Sequence, residues 1–67
     1  MPEQVNEKIH RLRKAKNLTQ GKLGAMLGLS AQAVSKWERG ETMPDIMLLP
    51  EICDIFEISI DSLLRNK

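Results

Sequence analysis

Twice within a dozen residues, the stretch from Leu18 to Gly40 (LTQGKLGAMLGLSAQAVSKWERG) spells the same helix start. Thr19 and Ser30 both suit an N-cap, because a side-chain hydroxyl there accepts a bond from an otherwise unpaired amide of the first turn. Each is flanked by an apolar pair five positions apart, Leu18 with Leu23 and Leu29 with Val34. That is the spacing of a hydrophobic staple. Gly28 falls where a left-handed residue would close the first of these helices, and Gly40 falls likewise after the second. Two short helices parted by one glycine have little freedom in how they meet, so the rest of the chain has to build a core around them.

Advancing about 100° per residue around the second of these helices puts Val34, Trp37 and Ala33 on one arc, the expected buried side. Gln32, Ser35, Lys36 and Arg39 point the other way. An outward face made of an amide, a hydroxyl and two cations, with no acid among them, suits a surface that meets bases and phosphates. Glutamine can bond adenine N6 and N7, lysine can donate to guanine O6 or N7, and Arg39 at the helix end can reach a phosphate. An ordinary solvated helix face would show the same residue types, so the face alone does not decide.

The stretch reads as a helix-turn-helix, and it resembles the Cro and phage-repressor type known as the XRE family. Leu18, Thr19, Gln20, Leu23, Leu27, Gly28, Ser30, Val34, Ser35, Trp37, Glu38 and Gly40 carry the match, and the resemblance runs from about Ile9 to Leu64. It implies an all-α, lambda-repressor-like bundle of five short helices in a single domain, residues 1–67 with a core over about 9–64. The helix-turn-helix would be formed by helices two and three over residues 20–39. It also implies that Ala31, Gln32 and Lys36 face base edges, with Ser35 beside them, and that Gln20 clamps a phosphate. An arginine and a glutamate pair across the core in this family, with the arginine also touching a phosphate. Carried over, these are Arg13 and Glu38. Lys22 and Ser30, near the starts of the two helices, join Arg39 as expected phosphate contacts. The implied partners are a double-stranded operator and a second copy of the chain, on half-sites ~34 Å apart.

Sixty-seven residues allow one small domain that buries about 60% of its unfolded surface, which leaves little room for a deep catalytic cleft. Cys53 is the sole cysteine, so neither an internal disulfide nor a cysteine metal cluster can form; beside Ile52 and Phe56 it reads as a small buried thiol. His10 has no partner acid or thiol at a telling spacing and reads as a surface side chain. No nucleophile, carboxylate pair or glycine-rich phosphate loop is evident, and neither enzyme chemistry, cofactor nor metal is expected. The first twenty residues are charged and no apolar run approaches a bilayer span, so a cytoplasmic location is expected.

Charge is unevenly spread. Residues 1–40 carry eight cations against three acids, net +5, and residues 41–67 carry two against six, net −4. The basic half contains the helix-turn-helix, a polarity that would orient the chain toward a polyanion. The acidic half favours the rival reading, a protein-interaction module or antitoxin component using the same fold.

Around the central stretch, Met1 to Gln4 and Arg65 to Lys67 are expected to fray. Val5, Ile9 and Leu12 recur at helical spacing over residues 5–16, and Asn17 tolerates the left-handed conformation that would end this helix. Lys14, Arg11 and His10 neighbour a phosphate only by charge. Gly21 and Lys22 depart from the family pattern without a packing reason, although a docked phosphate would offset the charge of Lys22 at a helix start. Gly24 suits a close approach of helices two and three. Glu41 to Asp45 reads as a loop. Pro50 allows either a short turn over Ile46 to Leu49 before a helix opening at Pro50, or one helix kinked there. Ile52, Cys53, Ile55 and Phe56 would face the core. Ser59 would cap a last helix with Ile60, Leu63 and Leu64 on its apolar side, and Met47, Ile58 and Leu64 are the expected dimer contacts.

Overall fold

A computed structural model describes residues 3–65 of the chain, and the expected fraying of Met1, Pro2, Asn66 and Lys67 lies outside them. The secondary structure among the described residues is all helical: α1 (Val5–Ala15), α2 (Gln20–Met26), α3 (Ala31–Glu38), a 3-10 turn (Ile46–Leu48), α4 (Leu49–Phe56) and α5 (Ile60–Leu64). Both alternatives at Pro50 involved a break, and the short turn is the one that forms. Proline at the start of α4 loses no hydrogen bond there, because the first amides of a helix have no partner within it.

One kind of junction is used three times. Asn17, Gly28 and Glu57 adopt left-handed backbone, with φ of 57°, 74° and 59°. Each is followed by an apolar residue and then by a hydroxyl N-cap, giving Asn17-Leu18-Thr19, Gly28-Leu29-Ser30 and Glu57-Ile58-Ser59. The apolar residue's amide returns to the preceding helix, from Leu18 to Arg13 O at 3.1 Å, Leu29 to Gly24 O at 2.7 Å and Ile58 to Cys53 O at 3.0 Å. The hydroxyls of Thr19, Ser30 and Ser59 accept from the amides of Lys22, Ala33 and Ser62 at 2.9, 3.3 and 2.9 Å. Orphan groups on both sides of the junction are thereby paired. Gly40, at φ 76°, closes α3 with the same return bond, from Glu41 N to Lys36 O at 2.9 Å.

Ile9, Leu23, Val34, Ile52 and Leu63 are fully buried, one from each helix, with Trp37, Phe56, Leu49, Leu27 and Cys53 completing the core. Helix α3 packs on both α1 and α2, while α5 packs on α4 and α1. Lys8 is also buried: its ammonium donates to Ser62 O at 2.8 Å and to Arg65 O, tying the end of α5 to α1.

Three expectations are corrected. Ile60 and Leu64 are 41% and 47% exposed, so Leu63 alone carries the buried side of α5; five residues make too little of a helix to bury three. Ile58 packs against the core as the apolar residue of its junction, which removes it from the expected dimer surface. Gln4 is ordered as the N-cap of α1, its amide donating to Glu7 Oε1 at 2.8 Å, and Glu3 pairs with Arg11 at 2.8 Å.

Candidate nucleic-acid interface

The pitch of α3 against α2 is set by Gly24. A Cβ built there would lie 2.8 Å from both Leu29 O and Ser30 O, so the close approach is between α2 and the backbone of the junction that starts α3. These oxygens cannot swing aside as a side chain would. Gly21 differs: its Cβ would find only Ala31 Cβ at 3.8 Å and Thr19 Oγ1 at 3.9 Å, ordinary contact distances.

On the outward side of α3, Ala31, Gln32, Lys36 and Arg39 are exposed and Ser35 is half-buried. Val34 and Trp37 occupy the opposite side and are buried. Gln32 and Lys36 make no side-chain hydrogen bond among the described residues, while Arg39 Nε lies 2.9 Å from Glu41 Oε2, both largely in solvent. Such an exposed pair holds weakly and is easily exchanged for another anion. Thr19, Lys22 and Ser30 are exposed on the same unit, at the starts of α2 and α3.

Behind this face, one carboxylate ties three helices together. Arg13 on α1 donates from Nε to Glu38 Oε2 at 2.7 Å and from Nη2 to Glu38 Oε1 at 3.1 Å, with Nη1 on Leu18 O at 2.7 Å. His10 Nδ1 lies 2.8 Å from Glu38 Oε1, and Gln20 Nε2 at the start of α2 donates to the same oxygen at 3.1 Å. The side chains of Arg13 and Glu38 are 9% and 5% exposed. Burial alone would raise the Glu38 pKa, but hydrogen bonds from Arg13, His10 and Gln20 and the Arg13 charge outweigh it, lowering the value to about 2.

Of the expected site residues, Ala31, Gln32, Lys36, Lys22, Ser30 and Arg39 are exposed and Ser35 is half-buried, so all seven reach solvent. Arg13 is buried: its guanidinium is spent inside the fold, with little surface left for a phosphate. Gln20 is half-buried, and its amide points into the same hub. His10 is an exposed side chain, as expected, yet it has an acidic partner 28 positions away, Glu38, because the chain between them folds back through α2 and α3. Nothing in local spacing signals that contact.

The helix-turn-helix family profile matches residues 9–63. The chain is 44% identical over 64 residues to the HTH-type transcriptional activator BcrR of Enterococcus faecalis, covering 96% of this chain and 31% of that protein. It is 39% identical over 59 residues to the cryptic phage CTXphi transcriptional repressor RstR of Vibrio cholerae, covering 88% of this chain and 53% of the relative. The chain thus spans a third to a half of the length of these relatives. The P22 c2 repressor, in a crystal structure with a synthetic operator, superposes with a TM-score of 0.88 at 35% identity, covering 97% of this chain and 98% of that one. Five helices in this arrangement, with the paired caps of α2 and α3 and a profile match across the core, make the chain a member of the helix-turn-helix family, of the XRE type.

Proposed function

We propose that this domain binds double-stranded DNA sequence-specifically, as the DNA-reading part of a transcriptional regulator, with α3 in the major groove. The observation that carries the reading is the outward side of α3, where Gln32 and Lys36 project from a helix whose other side is buried in the core. In this reading Gln32 and Lys36 bond base edges, Ser35 assists, and the Ala31 methyl packs on a thymine methyl. Lys22, Ser30 and Arg39 meet phosphates, Gln20 joins them when its amide leaves Glu38, and Arg13 and Glu38 hold the angle at which α3 is presented. Occupancy of an operator is sufficient for repression, which is the mode we propose, in the cytoplasm, with no enzymatic step.

A second copy of the chain is the proposed partner on the DNA. The molecule measures 28 × 23 × 22 Å, so two copies side by side can set their α3 helices about one helical turn of DNA, ~34 Å, apart. Met47 and Leu64, 79% and 47% exposed, remain from the expected contact surface, and Ile46 at 75% joins them.

The test is selection of bound duplexes from a random pool, followed by titration of Lys36→Ala and Gln32→Ala on the selected site. Each is expected to cost ~1 to 3 kcal/mol and to relax preference at one or two base positions, with non-specific binding retained and steeply salt-dependent. Variants that read the site as the parent does would overturn the assignment. Failure of the parent to bind any duplex at low salt would favour a protein-interaction module.

A further inference from the structure

Three nitrogens converge on one oxygen inside the hub. Glu38 Oε1 lies 2.8 Å from His10 Nδ1, 3.1 Å from Arg13 Nη2 and 3.1 Å from Gln20 Nε2. A carboxylate oxygen offers two lone-pair sites, so when His10 Nδ1 carries a proton one of the three donors is surplus. The other oxygen is already held by Arg13 Nε at 2.7 Å. Arg13 is also fixed through Leu18 O and is not the group that leaves. The competition is between an imidazole and an uncharged amide.

His10 can take part in two ways. With a proton on Nδ1 it donates to Glu38; with Nδ1 bare it accepts from Arg13 Nη2, 3.3 Å away. An imidazolium carries protons on both nitrogens and can only donate, and a charged donor binds a carboxylate about twice as strongly as a neutral one. The ring is 54% exposed, so solvent protons reach it. It faces Glu38 from α3, the uncharged Gln20 from α2 and Arg13 from its own helix, with Glu7 and Lys14 one turn to either side. Glu38 stays ionised throughout the range in which an imidazole titrates, since its own pKa is about 2.

We propose that His10 is a proton-controlled positioning residue for Gln20. Protonated, it occupies Glu38 Oε1 and releases the Gln20 amide to the outward face; with Nδ1 bare, it leaves that oxygen to Gln20, whose amide stays docked inside. Gln20 opens α2, part of the helix pair that meets DNA in the proposed function, so its freed amide becomes available to a phosphate there. Only this last consequence rests on the DNA-binding reading, because the exchange of partners takes place in the free chain.

The experiment is an NMR titration of the free, 15N-labelled chain from pH 8 to 5.5. The side-chain amide signals of Gln20 are expected to shift with the same midpoint as the ring protons of His10, and to stay flat in His10→Ala. Flat Gln20 signals in the parent, or equal shifts in the variant, overturn the proposal. On a generic duplex, the parent is expected to bind about two- to tenfold tighter at pH 5.5 than at pH 8, the worth of one net hydrogen bond. Both His10→Ala and Gln20→Ala should abolish that gain. A gain kept in full by Gln20→Ala would mean that His10 acts only as an added charge, which also overturns the proposal. A chain that binds no duplex would remove the DNA reading and leave the NMR result to decide on His10.

Discussion

Replacing Glu38 with glutamine keeps the shape of the hub and removes its charge. Arg13 is then left buried without a counter-ion, and the new amide nitrogen faces one of its donors. Two routes give the cost. The gap between an ordinary glutamate value of 4.5 and about 2 in the folded chain is equivalent to about 3 kcal/mol. Breaking a buried ion pair on one side costs ~3 to 5 kcal/mol in other proteins, and a chain of this size has only ~3 to 10 kcal/mol of stability in total. Glu38→Gln should therefore lower the melting temperature by roughly 12 to 24 °C at pH 7, read by circular dichroism. The sign of the pH dependence follows from a lowered carboxyl pKa. The Glu38 contribution is present in full above pH 4.5, is lost as the pH falls through about 2, and is missing from the variant at every pH. The difference between parent and variant should thus shrink on acidification. A loss under ~1 kcal/mol at pH 7, or parallel stability curves from pH 5 to 2, would refute the argument that Glu38 holds the three helices together.

The two glycines of α2 should respond oppositely to alanine. Gly24→Ala drives a methyl into the oxygens of Leu29 and Ser30, costing ~1 to 3 kcal/mol in chemical denaturation and weakening duplex binding beyond that loss. Gly21→Ala meets open contact distances and should leave stability unchanged or raise it by about 0.5 kcal/mol. Glu57→Gly should raise stability by ~0.5 to 1 kcal/mol in urea titration, because it relieves a left-handed residue that carries a side chain; the pair it gives up with Lys16, at 3.1 Å, is exposed and contributes little.

Much of the helix-turn-helix was legible in local pattern. Thr19, Ser30 and Ser59 act as caps, Asn17, Gly28 and Gly40 as left-handed stops, and Val34 and Trp37 as the buried side of α3. Glu57 was not legible as a stop, because its left-handed backbone is imposed by the packing of Ile58 and α5 and not by its own preference. The pairing of Arg13 with Glu38 was reached through family resemblance; nothing in the spacing of those two residues requires it.

The sequence by itself determined where α2 and α3 begin and end and which side of α3 is left outward, because caps, stops and helical period act within a few residues. Tertiary structure alone decided that His10, Arg13 and Gln20 share one carboxylate, that Lys8 closes the end of α5, and that Gly24 abuts the backbone of the next junction. Those contacts join residues 5 to 57 positions apart, and the long separations become distances of a few ångströms only once the core has folded the helices against one another.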